Sequence, residues 1–311
     1  MKKISKSLLL KLALISGVSI YSLAHYLYRY AFKRADPISQ LDESMKPYES
    51  EYYYYLNWLQ HYPQQELWQL KSRSHATKLV ALWLPTSPLS SKTVIIAHGY
   101  KDNKETMANL AYMYHHLGFN VLIPDNRGHG ANNSPYISFG WWDHYDYLVW
   151  LKLVQKRTGL NSQIYVHGVS MGGTISLLLS GEKLPSTVKG IISDCAFSSL
   201  LKEFDYLIRS KVKVPVKPLL KIINQINQRK NGFSLTKINS LNQIAKSKVP
   251  IFIIHGADDK YVPTAMGYEN YQAIPHQRKL WIVPHAAHAL AFWVNPQAYQ
   301  QQVKSFIQET I

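Results

Sequence analysis

The chain has 311 residues and a formal net charge of +16, with 35 Lys and Arg against 19 Asp and Glu. Hydrophobic residues make up 46% of it, which is ordinary for a globular domain with a substantial core, and a single cysteine, Cys195, excludes an internal disulfide framework. No nucleic-acid recognition motif accompanies the positive charge, so we expect no nucleic-acid partner.

The first segment, residues 1–34, is predicted to be a membrane anchor or a signal segment. It carries seven Lys and Arg and no acidic residue, and its residues 8–28 are largely apolar. At 1.5 Å per residue, a helix of that length reaches about 31 Å, enough to cross a bilayer. The lysines at the start favour a membrane-anchored protein whose remaining chain is extracytoplasmic. Small residues at Ser22 and Ala24 leave secretion after signal cleavage as the alternative.

The next segment, residues 35–65, is a predicted aromatic-rich linker with a helix over residues 51–62 that packs on the following domain. Residues 66–72 and 76–84 then predict an antiparallel hairpin at the edge of a sheet.

Strand-like and helix-like segments alternate over residues 66–196 and again over residues 249–311. Such alternation predicts one α/β domain, in which a mostly parallel central sheet has helices on both faces.

A glycine-rich turn lies between strand-like residues 163–167 and helix-like residues 173–179. It reads Gly-Val-Ser-Met-Gly over residues 168–172. The turn is so tight that the positions two before and two after the serine need to be glycine, and it exposes the hydroxyl of Ser170. This pattern is typical of a nucleophile elbow.

The alternation stops over residues 197–248, which hold eleven Lys and Arg and two acidic residues. We interpret this segment as a basic helical lid, with residues 212–218 as a connector because Pro215 and Pro218 disfavour a helix. Its charge predicts contact with an anionic surface, and a solvated lid face is the alternative.

Candidate partners for a serine nucleophile follow two later strand-like segments. Asp258 and Asp259 come after the first of these segments, and His285 and His288 come after the second. Because a serine hydroxyl is a poor nucleophile at neutral pH, it needs a histidine as general base and a carboxylate that orients the histidine. Asp194, at the end of an earlier strand, could also supply that carboxylate.

From about Leu67 to the C-terminus the chain resembles the α/β-hydrolase family. Residues 98–100, His-Gly-Tyr, resemble the family's oxyanion-hole turn, and residues 120–130 are similar to the segment that follows the next strand. Residues 255–263 resemble the loop that bears the family's acid. The order Ser, Asp, His along the chain is also that of the family.

The resemblance implies an α/β-hydrolase fold with a helical cap inserted after the sixth strand. It implies that the acid is Asp259 rather than its neighbour Asp258, which is then a turn former, and that Asp194 corresponds to a rarer variant. It also implies that the base is His288, because a longer loop after the strand helps the imidazole to fold back over the serine; His285 is its competitor.

The implied mechanism is acyl transfer to water. His288 removes the proton of Ser170, the serine oxygen attacks an acyl carbonyl, and Asp259 stabilises the imidazolium. The backbone N–H groups of Tyr100 and Met171 are the candidate oxyanion donors.

We therefore expect a serine hydrolase, carboxylesterase-like or lipase-like, that acts on a small-molecule acyl ester. The alternatives are a serine peptidase or acyltransferase on the same scaffold, and a catalytically inactive fold that binds a partner through its basic lid. No cluster of histidines and carboxylates has metal-ligand spacing, so we expect no metal and no cofactor. His98 and His167 are expected to satisfy backbone groups under the site, and Cys195 to be a small buried residue.

Overall fold

A computed structural model describes five stretches of the chain, residues 6–34, 41, 43–72, 77–211 and 215–310. Parts of four predicted features lie outside the described residues. These are residues 1–5 of the anchor segment, residues 35–40 and 42 of the linker, residues 73–76 of the hairpin and residues 212–214 of the connector.

A central sheet of eight strands organises the domain, in the order β1-β2-β4-β3-β5-β6-β7-β8. The strands are β1 (Glu66–Lys71), β2 (Lys78–Leu84), β3 (Lys92–Ala97), β4 (Asn120–Pro124), β5 (Gln163–Val169), β6 (Val188–Asp194), β7 (Ile251–Gly256) and β8 (Arg278–Val283). β2 is antiparallel to β1 and to β4, and all the other pairs are parallel. The predicted edge hairpin and the mostly parallel sheet are therefore confirmed.

Helices connect the strands and cover both faces of the sheet. They are α1 (Lys6–Phe32), α2 (Glu49–Gln60), α3 (Ala108–His116), α4 (Asp143–Thr158), α5 (Met171–Ser180), α6 (Leu200–Lys211), α7 (Val216–Asn231), α8 (Ser240–Ile244), α9 (Thr264–Gln272), α10 (Ala291–Val294) and α11 (Pro296–Glu309). Because these strands are parallel, their carboxyl ends lie at one edge of the sheet, where loops can carry functional side chains.

The core has two layers, because the central strands are buried on both faces. In β3, Ile95 packs in the layer that holds α4, α5, α6 and α7. Val94 and Ile96 pack in the layer that holds α3 and α11. All three side chains are fully buried. The aromatic helix α2 joins the second layer through Leu59, as predicted for residues 51–62.

The second half of α1 packs on the domain. Ala24, Tyr28 and Phe32 recur every four residues on one helical face and are at most 1% exposed. Tyr26, on another face, is 66% exposed. α1 lies against α7, so it is part of the first core layer.

In the part of the chain that the structure describes, no helix combines the length and the apolar character that a membrane crossing requires. The crossing predicted over residues 8–28 is therefore not supported, and the predicted location outside the cytoplasm stays a prediction.

We predict that Phe32→Ala lowers the free energy of unfolding by about 3–5 kcal/mol, because its ring is fully buried and leaves a cavity. The ring of Phe32 lies 4.6 Å from that of Tyr28 and 4.9 Å from that of Phe139, centre to centre. Urea titration of the full chain measures the change. Tyr26→Ala is the matched control and should stay within about 0.5 kcal/mol of the wild type. Equal stability of the two variants would contradict the packing of α1.

Three helices, α6, α7 and α8, lie between β6 and β7, within the predicted lid at residues 197–248. One detail of that prediction is wrong, because α7 begins at Val216 and contains Pro218. Proline is tolerated there since the first turn of a helix has no intrahelical partner for its N–H. The lid's contact with an anionic surface finds no support in the fold.

Candidate active site

The predicted elbow joins β5 to α5. Ser170 has a positive φ of 56°, and α5 starts at the next residue. A Cβ on Gly168 would lie 2.0 Å from the carbonyl oxygen of Gly172, and a Cβ on Gly172 would lie 2.0 Å from the carbonyl oxygen of Ala97. Both glycines are thus required by close backbone approach, and the strained serine is held at the carboxyl edge of the sheet.

Ser170, His288 and Asp259 meet at this edge. The Oγ of Ser170 is 2.8 Å from Nε2 of His288, and Nδ1 of the same imidazole is 2.7 Å from Oδ2 of Asp259. Asp259 lies in the turn after β7, and His288 lies in the loop after β8. Ser170 and His288 are 118 positions apart in the chain, and His288 and Asp259 are 29 positions apart. The fold brings these three predicted residues into one hydrogen-bonded line.

Asp259 is buried and strongly held as a carboxylate. Its Oδ1 accepts hydrogen bonds from the backbone N–H groups of Tyr261 and Val262, each at 2.9 Å. Burial acts to raise its pKa, but hydrogen bonds from His255 and His288 outweigh burial and lower the pKa to about 2. A group of this kind can orient an imidazole and offset its positive charge.

The rival acids and the rival base lie elsewhere. Asp258 and His285 are both exposed. The Oδ2 of Asp194 accepts a hydrogen bond from the hydroxyl of Tyr299 at 2.9 Å, and burial raises the pKa of Asp194 to about 6. Its backbone carbonyl accepts from the N–H of Ser170. Asp194 therefore supports the elbow from below, while Asp259 holds the imidazole.

The two candidate oxyanion donors flank the serine. Met171 is the first residue of α5, so its backbone N–H is among those that have no intrahelical acceptor. Gly99, next to Tyr100, approaches the serine so closely that its added Cβ would lie 3.7 Å from the Cβ of Ser170. The hydroxyl of Tyr100 points away, to the carbonyl oxygen of Ala31 at 3.0 Å. Only the backbone of Tyr100 is therefore free to serve an oxyanion.

The two histidines beneath the site are neutral. His98 Nε2 accepts from the backbone N–H of Asn126 at 2.8 Å, and its Nδ1 contacts the carbonyl oxygen of Gly99. Burial lowers its pKa to about 4. His167 instead contacts two tyrosine hydroxyls, those of Tyr114 and Tyr299, at 2.9 and 3.0 Å. The backbone role predicted for both histidines holds for His98 and is wrong for His167, whose partners are side chains.

Cys195 adds a third possible metal ligand near the triad. Its Sγ and ligand atoms of Asp259 and His288 lie within 4.8 Å of one another. Burial raises the pKa of the Cys195 thiol well above its usual value, which disfavours the thiolate that binds metals. Both ring nitrogens of His288 are also hydrogen-bonded. The geometry therefore favours a proton relay over a metal centre.

Three further residues at the site were not predicted from the sequence. His255 lies 3.3 Å from Asp259, and the ring of Tyr261 lies 4.9 Å from that of His288. Asp102 lies in the turn after Tyr100, beside the serine. His255 and Tyr261 are marked in the sequence only by their place within residues 255–263, and Asp102 lies outside the motifs, since contacts across loops follow from the fold.

The comparisons with known proteins agree with this architecture. A family profile described as alpha/beta hydrolase fold matches residues 92–214. The uncharacterized protein YqkD of Bacillus subtilis is 28% identical over 215 residues, which are 69% of this chain and 70% of that protein. Lipase 1 of Psychrobacter immobilis is 28% identical over 123 residues, which are 40% of this chain and 37% of the lipase.

Among solved structures, the esterase Pf2001 of Pyrococcus furiosus superposes with a TM-score of 0.66 and 20% identity. The match covers 89% of this chain and 99% of the esterase. The protein therefore has the α/β-hydrolase fold.

Proposed function

We propose that the protein is a serine hydrolase that cleaves small-molecule carboxylic esters through an acyl-enzyme. The observation that carries the proposal is the unbroken line from the Oγ of Ser170 through the imidazole of His288 to Asp259, with contacts of 2.8 and 2.7 Å. A hydroxyl, an imidazole and a carboxylate in that relation are the parts that serine acyl transfer needs.

In the proposed reaction, Ser170 attacks the ester carbonyl while its proton passes to Nε2 of His288. Asp259 stabilises the imidazolium, and the N–H groups of Tyr100 and Met171 bind the oxyanion. The imidazolium then protonates the leaving alcohol, and the acyl group stays on the serine oxygen. A water molecule, deprotonated by the same imidazole, releases the carboxylic acid and restores the serine.

An aromatic cluster packs against the side chain of Tyr100, next to the site. The ring of Tyr100 stacks on that of Phe139 at 5.3 Å, and Phe139 contacts Phe204 of α6 at 5.5 Å. Phe32 of α1 closes the cluster against both phenylalanines. We propose that residues 197–248 and the end of α1 together form the lid over Ser170.

The proposal predicts that a fluorophosphonate probe modifies wild-type protein at Ser170 and nowhere else. Peptide mapping by mass spectrometry locates the adduct, and hydrolysis of p-nitrophenyl butyrate reports turnover. Ser170→Ala should show neither adduct nor turnover, because the attacking oxygen is missing. Ser210→Ala, an exposed serine of α6, is the matched control and should behave as the wild type.

Wild-type protein that takes no probe and turns over no ester would contradict the proposal and favour the binding-module alternative. Faster cleavage of aminoacyl p-nitroanilides than of p-nitrophenyl esters would instead make the protein a peptidase.

A further inference from the structure

Asp102 lies near the nucleophile, next to Gly99. Its Oδ2 would be 2.5 Å from a Cβ built on Gly99, and that same Cβ would be 3.7 Å from the Cβ of Ser170. The carboxylate and the serine side chain therefore border one small volume. Asp102 as a whole residue is half-buried.

No cation among the described residues forms an ion pair with Asp102. Lys104, two residues on, binds two other carboxylates at 2.9 and 3.1 Å. The ammonium of Lys101 lies over the rings of Tyr30 and Tyr100, at 4.5 and 5.3 Å from their centres. A carboxylate in the wall of a reaction site without a cationic partner is costly to hold, and a bound cation would offset that cost.

The charge of Asp102 is present at neutral pH. Burial raises its pKa to about 6, although the nearby His288 and the backbone of Gly99 lower it. Tyr52 of α2 faces the same carboxylate: burial first, and then the charge of Asp102, raise the pKa of that phenol. Above about pH 6 the turn after β3 therefore presents a negative charge beside Ser170.

We propose that Asp102 is a specificity-determining residue whose carboxylate binds an ammonium group that the substrate carries within a few bonds of its scissile carbonyl. This inference rests on the proposed serine esterase activity and names the substrate class for it, namely cationic esters.

The charge that develops during the reaction also favours a cationic ester over a neutral one. Attack by Ser170 builds negative charge on the carbonyl oxygen, and the ionised Asp102 nearby opposes that charge. A cation on the substrate pairs with Asp102 and removes the penalty, whereas a neutral ester cannot. Asp102→Asn should therefore slow cationic esters while neutral esters keep their rate or gain.

Two matched pairs of esters test this at pH 7. In the acyl pair, p-nitrophenyl alaninate carries an ammonium where p-nitrophenyl isobutyrate carries a methyl group. In the alcohol pair, butyrylcholine carries a trimethylammonium where 3,3-dimethylbutyl butyrate carries a tert-butyl group. We expect wild-type kcat/KM to favour the cation by about tenfold or more in one pair, mainly through KM, and that pair locates the ammonium. Asp102→Asn should bring that ratio to about one.

Asp258→Asn is the control, because it removes one exposed carboxylate without changing the formal charge of Asp102. It should keep the wild-type ratio. A general effect of lost negative charge would lower the ratio in both variants and would overturn the inference.

The ratio within the alcohol pair also separates Asp102 from the other titrating groups. A ratio of two rates cancels any change that both esters share, and the other charged or titratable groups near this turn are Lys101, Lys104, Glu105 and Tyr52. If the alcohol pair shows the preference, it should fall as the pH drops through about 6, where Asp102 takes up its proton.

The inference is overturned if neither pair favours the cation, or if Asp102→Asn keeps the wild-type preference. In both cases turnover of neutral esters that depends on Ser170 would leave the proposed function standing. If no ester of either kind is cleaved, the proposed function fails and this inference fails with it.

Discussion

His288→Asn is expected to lower kcat/KM for a p-nitrophenyl ester by roughly 10⁴-fold or more. The imidazole is the only group within hydrogen-bonding distance of the Oγ of Ser170 among the described side chains, at 2.8 Å. Without it, the hydroxyl keeps its proton during the attack and the leaving alcohol receives none. The residual activity should come from the backbone oxyanion donors and from substrate binding.

The measurement is steady-state hydrolysis with matched protein concentrations, after near-UV circular dichroism has shown that the variant is folded. His285→Asn is the matched control, because His285 is exposed and its φ of 61° is a conformation that asparagine accepts. It should keep wild-type kcat/KM within about twofold. If His285→Asn were the inactive variant, the base would be misassigned.

Asp259→Asn is expected to lower kcat by roughly 10⁴-fold with little change in KM. The carboxylate accepts a hydrogen bond from Nδ1 of His288 at 2.7 Å, which leaves Nε2 free to accept the proton of Ser170. An amide can present its N–H to Nδ1 instead, which favours the tautomer that carries a proton on Nε2. The charge that stabilises the imidazolium is lost as well.

Two matched substitutions serve as controls for Asp259→Asn. Asp258→Asn removes the adjacent exposed carboxylate and should be neutral. Asp194→Asn should reduce stability more than it changes the pH profile, because Asp194 binds Tyr299 and not the imidazole. A loss in Asp194→Asn as large as that in Asp259→Asn would show that the acid comes from β6.

Much of the fold could be predicted because it depends on local patterns in the sequence. The alternation of strands and helices predicted the parallel sheet. The glycines two positions before and two positions after Ser170 predicted the elbow. The connector at residues 212–218 was placed wrongly because the prediction treated Pro218 as a helix breaker. Helices accept proline in their first turn, where the missing N–H has no intrahelical partner.

The first helix shows the limit of hydropathy as a guide. An apolar stripe is stabilised by any surroundings that remove it from water, whether lipid or protein. Residues 8–28 therefore predicted a membrane crossing, which the structure does not support, and Tyr28 and Phe32 near the end of the helix pack against aromatic rings of the domain and the lid. No property of the segment itself reveals the rings against which Tyr28 and Phe32 pack.

The sequence by itself determined the order Ser170, Asp259, His288 and the strand ends that carry them, since these depend on neighbours in the chain. Only the tertiary structure decided which carboxylate faces the imidazole and that Asp102 lies near the serine with no ion pair to a cation of the described residues. The reason is that side-chain direction in a loop is set by packing between segments distant in sequence, which local propensity does not encode.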